Sequence, residues 1–350
     1  MMYNQTVDKY NKRQNDCKDS WMEYAKQILS EHSEDYVKEV PYQIKRMAIK
    51  DCYLSWISNC RKTRKTGHPF SLRFRTRKNP KQSCYIPKSA VKESGIYYTM
   101  AGKLKYAEME FFKNEIQDCR IIMEYGKWFL LVPFKTVTTI PSENQGGAVA
   151  IDPGIRSFAT YFSTDGRFGH IGNGSFQRIL RINLKIDKLI SKLSLEKMKK
   201  RKRNLYRKIC ILRYRLKCLV DELQWKAIKW FTENFSVIIF PPFNVKDMVH
   251  GNKLPKVVKR SMLSFNFYRF KERLKECCSY HGIRFIEQDE SYTSRTNSFT
   301  GELINIGSKE YFKYDGITVN RDINGARNIL LRSMRDSSVC ICNVAGCLVS

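Results

Sequence analysis

From residue 147 onward the sequence predicts an α/β fold, preceded by a helical region and a small β-rich unit. Three observations carry this. Short apolar runs alternate with long amphipathic stretches in the order β-β-α-β-α-β-α. The 350 residues are 42% hydrophobic, enough for a buried core, and the length suits two or three domains of about 100–200 residues each. Lys and Arg number 63 against 34 Asp and Glu, a formal net charge of +29. That excess is clustered. It opposes compaction, and a polyanion relieves it, nucleic acid being the commonest. A generally basic protein without such a partner is the blander reading, and the clustering argues against it.

No run of about 18 apolar residues occurs, so no membrane span is expected. Met1 to Lys18 is polar and has no signal-peptide core. The 12 cysteines are scattered, and Cys52, Cys60, Cys210, Cys218 and Cys277 sit in apolar stretches. This is the pattern of reduced thiols in an intracellular protein of the cytoplasm or nucleus. No Cys-x-x-Cys pair occurs, and Cys340, Cys342 and Cys347 have no His nearby, so a metal site there is not expected.

Each element follows from its pattern. Residues 1–65 form a helical region. Trp21, Tyr24, Ala25, Ile28 and Leu29 fall at helical spacing, as do Ile44, Met47, Ala48, Cys52, Leu54 and Trp56. Residues 66–140 change texture. Ser71 to Arg75 alternates as a half-buried strand does, and Arg120 to Phe134 alternates about a break at Tyr125-Gly126, a hairpin. Pro141 to Gly147 reads as a linker. Ala148 to Ile151 is a short buried strand turned by Asp152-Pro153-Gly154, and Phe158 to Phe162 returns. Residues 176–234 read as a long helical region. Leu205, Ile209, Leu212, Leu216, Leu219, Leu223, Ala227 and Trp230 recur at three- and four-residue steps along it. Ser236 to Phe240 is a strand, Lys259 to Tyr280 a helix and Ile283 to Ile286 a strand. Asp322 opens a last helix within a domain spanning 147–335, and residues 336–350 are a tail.

The long helical region carries Lys197, Lys199, Lys200, Arg201, Lys202, Arg203, Arg207, Lys208, Arg213, Arg215 and Lys217, with no acid between Lys197 and Lys217. Intrahelical ion pairs therefore cannot balance the charge. Phosphate contact is favoured over a solvated face.

Two acids stand where elements end. Asp152 closes a buried strand, and Asp322 opens a helix. Taken singly, each is ordinary: Asp before Pro-Gly is turn chemistry, and Asp at a helix start is capping. Two-metal phosphodiester hydrolysis, however, needs carboxylates from separate elements converging on ions about 3.5–4 Å apart.

The segment Ala150-Ile151-Asp152-Pro153-Gly154-Ile155-Arg156 resembles the first RuvC motif of TnpB proteins, the transposon-encoded OrfB family. Arg321-Asp322-Ile323-Asn324-Gly325-Ala326-Arg327-Asn328 resembles the third. Leu219 to Ala227 with Val237 to Val245 resembles the second-motif region, and Tyr292-Thr293-Ser294 also matches. The closest flavour is Fanzor, the eukaryotic and viral branch, with its Pro-Pro-Phe after the central strand. The resemblance implies a RuvC-like (RNase H-like) nuclease domain over 147–335, with inserted basic helices. It also implies a recognition region over 1–65 and a wedge-like domain over 66–140.

Two departures bear on the site. The family's second-motif Glu falls at Pro241 here. Fanzor-like members supply a Glu shortly before the Thr-Ser segment, and Glu290 occupies that place, with Asp289 as runner-up because one residue reverses a strand's face. The family's zinc ribbon would take two Cys-x-x-Cys pairs near Asn297 and Thr300 and within Phe312-Lys313-Tyr314-Asp315. No cysteine lies between Ser279 and Val339, so residues 291–320 read as a degenerate ribbon without zinc.

The resemblance implies an RNA-guided DNA endonuclease dependent on Mg2+ (or Mn2+), with Asp152, Glu290 and Asp322 as catalytic metal ligands, and with guide RNA and target DNA as partners. Two alternatives stand beside it. One is a cleavage-deficient RNA-guided binder or decayed transposon remnant, which Pro241 and the missing cysteines favour. The other is a packaging protein, which the motif order disfavours. The sequence does not give an oligomeric state.

Overall fold

The computed structural model describes residues 2–12, 21–31, 38–76, 79–102, 104–105, 116–133, 135, 146–242, 245, 249, 255–288, 296–304 and 309–336. The chain divides into two compact units, Met1–Thr136 and Val137–Ser350.

The first unit opens with helices α1 (Met2–Lys12), α2 (Trp21–Glu31) and α3 (Tyr42–Thr66). They close on Val7, Tyr10, Ile28, Ile49, Cys52 and Trp56. Helix α1 falls within the helical region read over 1–65, although the periodic residues begin only at Trp21 because its own stretch is polar overall. Its apolar positions become a core only against α3, where Tyr10 stacks on Trp56 at 5.1 Å between centroids. The segment predicted as a strand at 71–75 is extended but joins no sheet. Asn4 accepts from the Arg75 amide (2.7 Å) and donates to the Arg75 carbonyl (2.8 Å). Asn11 does the same for Leu72, at 2.9 and 3.0 Å. A side-chain amide carries one acceptor and a donor pair, so two asparagines stand in for a neighbouring strand.

Three strands follow in an antiparallel sheet, β1 (Gln82–Ile86) beside β4 (Cys119–Glu124) and β4 beside β5 (Lys127–Leu131). Between them lie the small hairpin β2 (Val91–Lys92) and β3 (Gly95–Ile96) and the turn of helix α4 (Tyr98–Ala101). The hairpin predicted over 120–134 forms at 119–131. Its break is the positive-φ pair Tyr125 (55°) and Gly126 (71°), the geometry that matches strand twist. Arg120 ties β4 to α3 by a two-pronged pair with Asp51, at 2.6 and 3.1 Å.

The second unit contains β6 (Gly146–Pro153), β7 (Ala159–Ser163), β8 (Phe168–Ile171), α5 (Ser175–Leu195), α6 (Lys199–Asn234), β9 (Phe235–Phe240), α7 (Lys256–Phe265), α8 (Phe267–Tyr280), β10 (Arg284–Glu287), β11 (Tyr311–Tyr314), β12 (Ile317–Asn320) and α9 (Arg321–Asp336). One mixed sheet runs in the order β10-β9-β6-β7-β8. Strands β6, β7 and β8 are antiparallel in series, while β9 and β10 run parallel to β6. Strand alternation sorts the two faces. Val149, Ile151 and Ala159 join Phe231, Phe265, Phe267 and Phe270 in the larger core. Ala148, Ala150, Val237 and Ile239 pack against Ile329 and Leu330 of α9.

Two long helices predicted from periodicity are broken. The 176–234 region is α5 and α6, parted at 196–198, where Glu196 accepts from the amides of Lys197 and Met198, at 3.0 Å each. Ile182, Ile186 and Ile209, with Leu212 and Leu216, pack the pair together. The 259–280 region is α7 and α8, parted at Asn266 with φ 52°. Asn is among the few residues that adopt this left-handed conformation readily. Buried Gln224 donates to the carbonyls of Phe265 (2.7 Å) and Asn266 (3.3 Å) at the break.

Candidate functional site

Asp152 lies at the end of β6, opposite Thr160 of β7. On β6 it shares the even-numbered face with Ala148 and Ala150, the face that α9 covers. A β-carbon placed on Gly325 of α9 would stand 2.8 Å from Asp152 Oδ2. The carboxylate thus rests against the bare backbone of the helix. Asp322 precedes Gly325 by three residues, one turn back on the same side. Asp322 thus stands one helical turn from the glycine that the Asp152 carboxylate touches.

Capping does not account for Asp322. Asn320 takes that role, its side-chain oxygen accepting from the amides of Asp322 (2.9 Å) and Ile323 (3.2 Å).

The strand register places two further groups on the row of Asp152. Thr160 faces His170 of β8 and contacts its Nδ1 at 3.0 Å. On the other side Ala150 pairs with Ile239 of β9. Pro241 lies two residues past Ile239, as Asp152 lies two past Ala150, and offers no ligand. Glu290, its runner-up Asp289, and Tyr292-Thr293-Ser294 lie outside the described residues, as do Cys340, Cys342 and Cys347. Among the described residues, no group of three or more His, Cys, Asp or Glu could hold a metal ion.

The remaining polar residues of the last motif dock the segment before it. Asn324 and Asn328 both donate to the Thr296 carbonyl, at 2.8 and 2.6 Å, and Asn324 accepts from the Ser298 amide at 2.9 Å. The Arg327 guanidinium lies 4.2 Å from the Phe299 ring centre and 5.8 Å from that of Phe162. Phe299 stacks in turn on Tyr314 of β11, with centroids 5.6 Å apart and planes 13° apart. The two turns from which ribbon cysteines would come are therefore joined through Phe299 and Tyr314. None of these docking roles is legible in spacing alone.

The basic residues lie on the hairpin of α5 and α6. Lys197, Lys199, Lys200, Arg201, Lys202, Arg203, Arg207, Lys208, Arg213 and Arg215 are exposed, and Lys217 is half-buried. Ion pairs within α6 lie further along it, as between Lys226 and Glu222 and between Lys229 and Glu233. At the tip, Lys192, Lys197, Arg201 and Lys208 line a hollow of about 610 Å³.

Comparison with known proteins adds the following. The Cas12f1-like TNB domain model matches residues 267–329. A Paramecium bursaria Chlorella virus 1 protein designated a transposase, A625R, is 32% identical over 66% of this chain and 54% of its own length. TnpB-like protein L79 of Acanthamoeba polyphaga mimivirus is 28% identical over 61% of this chain and 43% of its own. An Escherichia coli K12 protein designated an RNA-guided DNA endonuclease, InsQ, is 22% identical over 68% and 61%. The chain spans about half the length of the curated relatives it matches. The Cas12f1 chain in a cryo-EM complex with sgRNA and target DNA aligns over 94% of this chain and 79% of its own, with TM-score 0.51 and 14% identity, a likeness of fold. Among the described residues, no helix is long and apolar enough to cross a membrane.

Proposed function

The chain belongs to the TnpB family, and from that premise we propose that it is an RNA-guided, divalent-metal-dependent DNA endonuclease of a transposable element. The observation that carries this is the Asp152 carboxylate seated on Gly325, one turn from Asp322. Two carboxylates from a strand end and a helix start, at one rim of a sheet, are the donor set that paired Mg2+ (or Mn2+) ions take. A sheet of three antiparallel strands followed by two parallel ones supports a RuvC-like, RNase H-type core.

Asp152 and Asp322 would hold the metal, with Glu290 as the third ligand. A metal pair held there would supply activation of water and stabilisation of the leaving oxygen. The parity of β10 supports Glu290 over Asp289. Ile286 packs on the α9 side, while Glu287 pairs with Lys271 of α8 at 3.0 Å. Even-numbered positions of β10 thus take the α9 side, the face of Asp152. A proline at 241 with a Glu supplied at 290 instead fits the Fanzor branch.

The exposed cations of α5 and α6 would contact the backbone of guide RNA and target DNA, while base pairing supplies sequence choice. The hairpins at 296–303 and 311–320 would need no zinc, because the Phe299–Tyr314 stack joins them while Arg327 and the two asparagines hold the first to α9. One observation favours a second reading, a binder that no longer cuts: Pro241 stands on the row of Asp152, where a ligand would be nearest.

The test is Mg2+-dependent cleavage by the protein purified with RNA from its own locus. Asp152→Ala, Asp322→Ala and Glu290→Gln should each abolish cleavage and leave nucleic-acid binding intact. Loss with Asp289→Asn but not Glu290→Gln would reverse the register. A native complex that binds target and never cuts would establish the binder.

A further inference from the structure

His170 takes no part in the roles proposed above. It belongs to β8, the last strand in the order β10-β9-β6-β7-β8. Register puts it on the row of Asp152, because Asp152 pairs with Thr160 and Thr160 with His170. Paired residues lie on one side of a sheet, so all three share a face. The row from β6 to β8 spans two strand widths, roughly 10 Å at about 4.8 Å each. Helix α9 packs over β6 and β7 on that face. Strand β8 is more open, with Phe168 of the same face 57% exposed and His170 half-buried.

The two nitrogens of the ring stand differently. Nδ1 lies 3.0 Å from Thr160 Oγ1. Thr160 is 2% exposed, and among the described residues its hydroxyl has no other partner. A buried hydroxyl proton that meets no acceptor is costly, so Thr160 donates and Nδ1 accepts. In a neutral imidazole the one N–H is then on Nε2. Among the described residues Nε2 meets no protein group. The contact with Thr160 therefore fixes both the tautomer and the direction in which the free donor points.

We propose that His170 Nε2 donates to a phosphate of the DNA strand that the carboxylates cut, a neighbour of the phosphate under attack. The spacing argues for a neighbour: a ring two strands from Asp152 stands to one side of the carboxylate and not over it. The chemistry argues for a phosphate, since a fixed N–H seeks an acceptor and a nucleic-acid backbone presents one at every residue. Held at this second point, the strand cannot swivel about the attacked bond, and such orientation lowers the barrier to reaction. A ring that served Thr160 alone would need no second nitrogen. The proposal rests on the nuclease reading, with His170 as a substrate contact and not a metal ligand.

The test has two arms. The first is long-range 1H–15N NMR of the full-length protein labelled at its 5 histidines, without Mg2+. The His170 signals, identified by their loss in His170→Asn, should show the proton on Nε2. A saturating oligothymidylate of about twelve nucleotides, within the range of single-strand sites, should shift that N–H. A proton on Nδ1, or an Nε2–H that DNA leaves unmoved, overturns the proposal. The second arm is single-turnover cleavage by the RNA-loaded protein with Mg2+. Asn puts an acceptor where Nδ1 is, and Gln puts a donor where Nε2 is. His170→Asn should keep the melting temperature and cut about ten- to hundredfold more slowly, the size of one hydrogen bond to a charged group. His170→Gln should recover most of the rate. Normal cutting by His170→Asn, or equal loss in both variants, makes the ring a partner of Thr160 alone and overturns the contact. Should His170→Gln fail to fold, the spectra and His170→Asn decide. A native complex that never cuts ends the nuclease reading, while the spectra still decide whether His170 meets DNA.

Discussion

Gly325 permits the close approach of the Asp152 carboxylate to α9. A glycine inside a helix costs about 1 kcal/mol against alanine, so a helix chosen for stability alone would not keep it. Gly325→Ala should therefore leave the melting temperature level or raised. The new β-carbon would displace the Asp152 carboxylate, whose Oδ2 lies 2.8 Å from that position, and Mg2+-dependent cleavage should fall at least tenfold. A variant that melts higher and cuts normally would show that the seating does not matter. The aspartates were legible because a strand end and a helix start each closed with an acid inside a motif. The role of Gly325 was not legible, since its letter is the same whether it serves a turn or a contact. Gln224 was equally opaque. It lies on a helix of continuous periodicity, and only the break at Asn266 shows what its amide reaches.

At the scale of elements, a ring stack latches the two hairpins together. Phe299 touches both Arg327 and Tyr314. Phe299→Ala removes both contacts, and each is worth about 0.5–1.5 kcal/mol. The variant should lose about 1–3 kcal/mol of stability by denaturant titration, while chelators should change the wild-type melt little. A melt that drops sharply on chelation, with about one zinc per chain by elemental analysis, the load of a single structural site, would contradict the latch. Strands and helices with full apolar stripes were readable from period. Their interruptions at 196–198 and Asn266 were not, because a capping Glu and a left-handed Asn leave the stripe unaltered. Strand β8 was missed because four residues with exposed Phe168 give too short an alternation. The extended 71–75 segment alternates as a strand does, yet its partners are asparagines on α1.

At the scale of the molecule, each unit has a core with a buried thiol in it. Burial pushes Cys52 in the first unit and Cys278 in the second up to about 12 from an ordinary value of 9.0. A raised value means that the folded state holds the proton longer. The associated stability is therefore complete below about pH 9 and is lost as pH rises toward 12. Both thiols should resist a disulfide reagent at pH 8 in native protein and react at once in denaturant, with stability falling above pH 9. Fast labelling of either at pH 8 would show that its core is open. The division into helical, β-rich and α/β stretches could be read from changes of texture. The pairing of strands far apart in sequence could not be, since register is set by contacts that no local pattern encodes. That pairing also sets a timetable. Asp152 leaves the ribosome some 170 residues before Asp322, roughly ten to thirty seconds earlier at about 5–20 residues per second. The basic α5–α6 hairpin emerges in between. On the function proposed above, a nascent chain can hold RNA before its carboxylate pair exists, so loading precedes the ability to cut.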